Sequence, residues 1–198
     1  MSDPHPSIVV LAGPNGAGKS TAAPALLQGT LGVTEFVNAD DIARGLSAFN
    51  AERAALPAGR VMLARLRELA RQRISFAFET TLASRSFAPW LERLRREGYS
   101  IHMLFLWLPS ADFAIDRVAA RVRMGGHSVP AQTVRRRYRA GIRNFFNLYE
   151  RLASTWRVYD NSGSAPQLIA ARLDFQETAV YDGDVWVTIV RQGVQDED

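Results

Sequence analysis

Residues 7–21 read Ser-Ile-Val-Val-Leu-Ala-Gly-Pro-Asn-Gly-Ala-Gly-Lys-Ser-Thr, and no other stretch restricts the fold so tightly. A β-branched run ends in a glycine-rich turn that opens into an alanine- and leucine-rich segment. Gly13, four residues, then Gly18-Lys19-Ser20 is the spacing of a Walker A loop. Gly13, Gly16 and Gly18 admit backbone angles closed to residues with a Cβ, so the chain from Gly13 through Pro14, Asn15, Gly16 and Ala17 to Gly18 can wrap around phosphate oxygens. The helix that follows turns its unpaired N–H groups toward the same anion. Lys19 is placed for β- and γ-phosphates and the Ser20 hydroxyl for Mg²⁺, with Thr21 beside it; the ligand expected is ATP with Mg²⁺. Lys19 is also the only lysine among 24 basic residues. The chain prefers arginine everywhere except where a compact ammonium suits phosphate. A glycine turn merely joining strand to helix is the plainer alternative.

Length and composition narrow the rest. The 198 residues, 47% hydrophobic and 22% charged, suit one substantial core, so a single domain over 1–198 is expected. The absence of cysteine excludes disulfides, thiolate zinc sites and cysteine nucleophiles. His5, His102 and His127 are too scattered for a metal cage. No apolar run reaches 18 residues and no signal-like segment opens the chain, so a cytoplasmic location and no membrane partner are expected. The net charge of +4 is a modest excess of arginine. It suits a small phosphorylated ligand as well as nucleic acid, and nucleic acid is not the expected partner.

Strand-like runs at Ser7 to Ala12, Thr34 to Asn38, Ile74 to Phe78, Ile101 to Leu108 and Trp156 to Tyr159 alternate with helical patterns. That alternation predicts an α/β fold with a parallel five-stranded sheet and helices on both faces. Ligands of such sheets bind beyond the carboxyl ends of the strands. There the chain places the phosphate loop, then Asp40-Asp41, then Glu79-Thr80-Thr81, then Ser110 as a helix cap, then Asp160-Asn161-Ser162. Neighbouring residues at a helix start point apart, so one of Asp40 and Asp41 is expected to face the site while the other caps the helix. Glu79 could orient Mg²⁺ through water, hold substrate or cap a helix. Val134, Tyr138, Ile142, Phe145, Tyr149 and Leu152 recur at steps of three and four, a core stripe. Leu173 to Tyr181 and Val185 to Val190 flank Asp182-Gly183-Asp184, which predicts a C-terminal β-hairpin over 173–190, followed by a disordered acidic tail over 195–198.

Residues 116–143 carry Arg117, Arg121, Arg123, Arg135, Arg136, Arg137, Arg139 and Arg143 around the break Met124-Gly125-Gly126-His127-Ser128-Val129-Pro130. Two helices joined by a flap, an arginine-rich lid over about 121–137, would bring guanidinium groups to a transferring phosphoryl group and exclude water. Most of these arginines taken singly are solvated surface.

Taken together, the phosphate loop, Asn38-Ala39-Asp40-Asp41, Phe78-Glu79-Thr80-Thr81, the flap from Arg121 to Pro130, Arg135-Arg136-Arg137-Tyr138 and Val158-Tyr159-Asp160-Asn161-Ser162 resemble the zeta-toxin family. Within it the chain is most similar to the short bacterial zeta-toxin-like P-loop kinases. The resemblance runs from about Ile8 to Gly163, and it implies a nucleoside-monophosphate-kinase-like fold and ATP-dependent phosphoryl transfer. It further implies a hydroxyl acceptor such as UDP-N-acetylglucosamine and an antitoxin as a separate partner. In role it implies Asp40 as general base, Lys19 with the lid arginines Arg123 and Arg136 as catalytic groups, Arg121 at the nucleotide, and Glu79, Thr80 and Arg85 at the acceptor. Better-known members are longer and follow the aspartate with Ser-Phe-Arg, where this chain has Asp41-Ile42-Ala43-Arg44. That difference bears on the sugar-nucleotide acceptor. A kinase of another hydroxyl metabolite or nucleotide, or a non-catalytic ATP-gated module binding RNA or protein, are the alternatives.

Overall fold

The β-branched run at the N-terminus becomes β1 (Ser7–Ala12), and every residue from Ile8 to Ala12 is buried. Consecutive burial means both faces of the strand are covered, as in the middle of a parallel sheet. The computed structural model describes residues 5–30, 33–47, 51–126, 128–173 and 176–194. β1 lies parallel between β3 (Phe76–Thr80) and β4 (Ser100–Trp107), with Val10 opposite Phe78 on one side and Met103 on the other. β2 (Glu35–Val37) joins β3, and β5 (Thr155–Asp160) joins β4, both parallel. The five expected strands form the parallel part of the sheet.

The sheet is larger than expected. β6 (Gln167–Arg172) and β7 (Ala179–Val180) add antiparallel at the β5 edge, giving the order β2-β3-β1-β4-β5-β6-β7. The result is a mixed seven-stranded sheet with helices on both faces, an α/β P-loop kinase fold. The helices are α1 (Lys19–Ala23, continued by a wider π-type turn over Pro24–Thr30), α2 (Ala39–Leu46), α3 (Ala51–Arg71), α4 (Phe87–Arg96), α5 (Ala111–Arg123), α6 (Ala131–Asn144, continued by a π-type turn over Phe145–Tyr149) and α7 (Gly183–Val194). Ser110 caps α5, accepting from Phe113 N at 3.1 Å. The stripe from Val134 to Leu152 is buried at all six positions. On α3 the buried side is Met62, Leu66 and Leu69, whereas Val61 is 46% exposed.

The C-terminal hairpin needs correction. The expected pairing of 173–181 with 185–190 does not form: the antiparallel pair here is β6 with β7, and residues 185–190 belong to α7. Asp182 caps that helix: its carboxylate accepts from Val185 N at 3.1 Å and its carbonyl from Trp186 N at 3.0 Å. The β-branched composition of Val185 to Val190 favours a strand locally, but packing decides otherwise. Trp186 stacks on Trp156 at 5.6 Å and meets Phe146 at 5.7 Å, while Ile189 is buried. Only helical spacing turns Trp186, Ile189 and Gly193 to one side. The expected tail at 195–198 and His127 in the flap lie outside the described residues.

A Cβ added at Gly193 would stand 2.2 Å from the Phe146 ring. Gly193→Ala should therefore lower stability by about 1–3 kcal/mol through overpacking, read as a fall in thermal midpoint. An unchanged midpoint would mean that α7 docks elsewhere. No helix among the described residues is long and apolar enough to cross a membrane.

Candidate active site

Where β1 ends, the chain turns at Gly13 with φ 139°, a conformation that excludes side chains, and a Cβ there would lie 2.3 Å from the Leu106 carbonyl oxygen. The turn closes with Ala17 N donating to Pro14 O at 3.2 Å, and Gly18, at φ 75°, leads into α1. Lys19 folds back over this loop. Its Nζ donates to Gly13 O and Pro14 O, each at 2.9 Å, and stands 3.5 Å from Glu79 Oε1. Burial lowers the Lys19 pKa, Glu79 and then Asp40 oppose the shift, and Arg121 adds to it. An ammonium held among carbonyls with little water is a preformed seat for a phosphate that can replace them.

Glu79 sits in the last turn of pairing of β3, one strand from the loop. Its Oε2 accepts from Ser20 Oγ at 2.8 Å and from Asn38 Nδ2 at 3.0 Å, and Asn38 Nδ2 also reaches Ser20 Oγ at 3.2 Å. Three strand ends thus meet at one carboxylate. Asn38, which the sequence reading did not single out, does two jobs: its Oδ1 accepts from Asp40 N at 2.8 Å as the cap of α2, and its amide holds Glu79. The signal was present, an Asn immediately before Ala-Asp-Asp at a helix start.

The cap separates the two aspartates. Asp41 is exposed and paired with Arg44 on the same helix. Asp40 is half-buried, its charge is felt by both Lys19 and Arg137, and its carboxylate accepts no hydrogen bond among the described residues.

The segment 121–137, expected as an arginine-rich lid, joins the end of α5 to the first half of α6. Arg137 on α6 reaches the phosphate loop, donating to Asn15 Oδ1 at 3.4 Å. Burial lowers its pKa, the neighbouring Arg136 lowers it further, and Asp40 opposes. Arg121 is half-buried and close enough to Lys19 to act on its charge. Arg123 and Arg136, the two arginines expected to be catalytic, are both exposed. The structure therefore brings Arg121 and Arg137 to the loop and leaves Arg123 and Arg136 at the surface. Adjacent residues on a helix point about 100° apart, so the choice within Arg135-Arg136-Arg137 needed the orientation of α6, which sequence alone did not supply. Arg135 pairs with Asp112 across the lid at 2.7 Å. Arg117 braces the far side of the loop, donating to Asn161 O at 2.6 Å, while Asn161 Nδ2 donates to Ala17 O at 2.6 Å.

Thr80 ends β3, with its Oγ1 accepting from Leu82 N at 3.1 Å, and Arg85 lies exposed in the following loop. Thr21 is exposed in the first turn of α1. Two cavities of about 240 and 320 Å³ lie between α3 and α4, sharing Arg67, Trp90 and Arg93, and no residue of the phosphate loop lines either. The expected site residues gather instead at the carboxyl ends of β1, β2 and β3. There, Ser20 and Glu79 present hard oxygen donors beside the loop, the set that suits Mg²⁺, which takes one or two protein oxygens and completes its shell with phosphate and water.

A family model described as an AAA domain matches residues 8–145. An uncharacterized protein of Haemophilus influenzae is 28% identical over 126 residues, which are 64% of this chain and 88% of that protein. Among solved structures, a chain of the AvrRxo1-ORF1:AvrRxo1-ORF2 complex superimposes with a TM-score of 0.76 with sulphate ions and 0.74 with ATP, at 17% and 16% identity. Each match covers 98% of this chain, which spans 66% of the length of that one. A chain of the PezAT chromosomal toxin–antitoxin system of Streptococcus pneumoniae superimposes at 0.63, with 12% identity over 97% of this chain and 87% of that one.

Proposed function

The chain belongs to the AAA domain family of P-loop proteins, and from that premise we propose that it is an ATP-dependent small-molecule kinase of the zeta-toxin type. The acceptor is a hydroxyl, with a nucleotide sugar such as UDP-N-acetylglucosamine the first candidate. The observation that carries this reading is the Asp40 carboxylate, which accepts no hydrogen bond among the described residues and lies within the field of Lys19 and Arg137. A module that only binds ATP has no use for a free carboxylate beside the phosphate loop. The ATP-bound AvrRxo1-ORF1:AvrRxo1-ORF2 structure supports ATP as the donor.

In this reaction Asp40 accepts the proton of the acceptor hydroxyl as its oxygen forms a bond to the γ-phosphorus. The bond from that phosphorus to the β–γ bridging oxygen breaks, and ADP leaves. Lys19 exchanges the carbonyls of Gly13 and Pro14 for phosphate oxygens, and Arg121 and Arg137 lie on the lid side to meet charge on the transferring group. Bound Mg²⁺ would be held by Ser20, with Glu79 orienting its water, and would neutralise phosphate charge. Arg123 and Arg136 keep a role only where closure of α5 on α6 carries them inward. Thr80 and Arg85 lie on the side from which the acceptor approaches.

The test is mass-spectrometric. The protein is incubated with ATP and Mg²⁺ and a panel of UDP-N-acetylglucosamine, other UDP-sugars, nucleosides and a metabolite extract, with Lys19→Ala as blank. Gain of one phosphate by UDP-N-acetylglucosamine is the expected result, and gain by another hydroxyl compound alone would move the acceptor but keep the kinase. No phosphorylated product at all would sink the reading. A separate antitoxin-type partner is supported by the toxin–antitoxin assembly of the PezAT neighbour.

Nucleotide binding should also depend on pH with a definite sign. Lys19 must be an ammonium to hold phosphate, and burial sets its pKa below the ordinary 10.5. Affinity is therefore full where Lys19 is protonated and declines as pH rises through the lowered value, with proton uptake on binding in that window. Titration of a fluorescent ATP analogue from about pH 7 to about pH 10 reads this directly, and a flat profile would mean that Lys19 stays charged throughout.

A further inference from the structure

The loop that follows β3 is held in an unfavourable shape. Leu82 has φ 54°, a left-handed conformation rare for a residue with a branched side chain, and that side chain is wholly buried. Such strain persists only where the surroundings over-determine it, and it clusters where ligands are gripped. Here the surroundings come from a single helical segment. α6 passes so close to Thr81 that a Cβ on Gly141 would stand 2.4 Å from the Thr81 carbonyl oxygen. One turn on, the buried Asn144 donates through Nδ2 to Leu82 O at 2.8 Å and Ala83 O at 3.2 Å. In the π-type turn beyond, the Tyr149 hydroxyl donates to Ser84 O at 2.6 Å.

The middle of the same helix reaches the phosphate loop through Arg137 and, at the next residue, the end of β4, where the Tyr138 hydroxyl donates to Leu108 O at 2.7 Å. One element therefore touches the loops after β1, β3 and β4. Within the β3 loop, Leu82 N and Ala83 N donate to Thr80 Oγ1 and Thr81 Oγ1 at 3.1 and 3.4 Å, so the threonine hydroxyls are oriented by the same strained turn.

We propose that Gly141 and Asn144 are positioning residues for the phosphoryl acceptor: they hold residues 81–84 in register with the phosphate loop, so that Thr80 and Arg85 meet the acceptor at a set distance from the transferring phosphate. This rests on the kinase reading above. Neither residue touches the reacting atoms. Their effect is carried by the backbone of the loop they hold.

The test compares full-length Asn144→Leu and Gly141→Ala with the wild type. Leucine removes both amide donors while keeping a similar volume, and the alanine methyl pushes on the Thr81 carbonyl. Hydrogen exchange over 82–86, measured without acceptor, should quicken in both, by about tenfold or more in Asn144→Leu, the size expected from losing two buried hydrogen bonds. Affinity for a fluorescent ATP analogue should stay within about twofold, and the KM for the acceptor identified by mass spectrometry should rise about tenfold while that for ATP does not. A merely structural role would lower ATP affinity and acceptor turnover in step, and that result, or unchanged exchange over 82–86, would overturn the proposal. Should Asn144→Leu not fold, Gly141→Ala carries the same comparison. If the wild type phosphorylates nothing, the kinase reading fails and the acceptor role falls with it, while the exchange measurement still decides whether α6 holds the loop.

Discussion

Asp40→Asn is expected to leave ATP bound and lower kcat for phosphoryl transfer by about 10²–10⁴, the range for removing a general base. The substitution is close to isosteric, and the cap of α2 uses the Asp40 backbone N–H, which donates to Asn38 Oδ1, so the helix start is unaffected. The carboxylate accepts no hydrogen bond among the described residues, so no partner is stranded. Its charge lies near the phosphate loop, where it repels a polyphosphate. Removing it should, if anything, tighten ATP binding, which separates a catalytic loss from a binding loss. Asp41→Asn is the control. Its carboxylate faces solvent and among the described residues pairs only with Arg44, an exposed contact worth little, so turnover should stay within about twofold. Single-turnover kinetics with each variant decide the matter, and equal losses at both positions would remove Asp40 from the mechanism.

Lys19→Met is expected to abolish measurable transfer, with a loss of about 10²–10³ or more for an electrostatic stabiliser of the transition state. Its effect on stability is a different question. Lys19 and Glu79 are 5% and 12% exposed, so removing the ammonium alone leaves Glu79, among the described residues, with only Ser20 and Asn38 as donors. The single variant should melt below the double variant Lys19→Met/Glu79→Gln, in which no uncompensated charge remains. Because burial depresses the Lys19 pKa, the charged lysine itself costs folding free energy at neutral pH, and that cost is lifted as pH rises through the lowered value toward 10.5. Thermal unfolding of the two singles and the double should return a coupling of about 0.5–3 kcal/mol, while all forms lacking Lys19 remain inactive. A zero coupling would mean that the 3.5 Å contact contributes nothing.

Several parts of this architecture were legible in the residues. The phosphate loop announces itself because its geometry admits few alternatives: glycine where φ is positive, a lysine that must fold back, and a hydroxyl at the helix start. The five parallel strands were readable from short apolar runs alternating with helical patterns, and the stripe from Val134 to Leu152 from its helical period. These are local signals, set by one residue and its near neighbours along the chain.

What escaped was decided by contacts between distant segments. Val185 to Val190 has strand composition but forms a helix, because Trp156 and Phe146, some thirty and forty residues away, accept Trp186 only from a helical face. Asn38 joins Ser20 to Glu79 across three strands, a meeting that exists only once β1, β2 and β3 lie side by side. The lid arginines show the same division. The chain marked the cluster, but Arg137 rather than Arg136 faces Asn15, because burial of Val134, Tyr138 and Ile142 against the core fixes which side of α6 is turned to the loop. By itself the sequence determined the phosphate loop, the parallel sheet and the candidate carboxylates, since each is a property of local spacing. The helical C-terminus, the carboxylate hub at Glu79 and the identity of the arginines at the loop were left to the tertiary structure, since each depends on which faces of separate elements come to rest together.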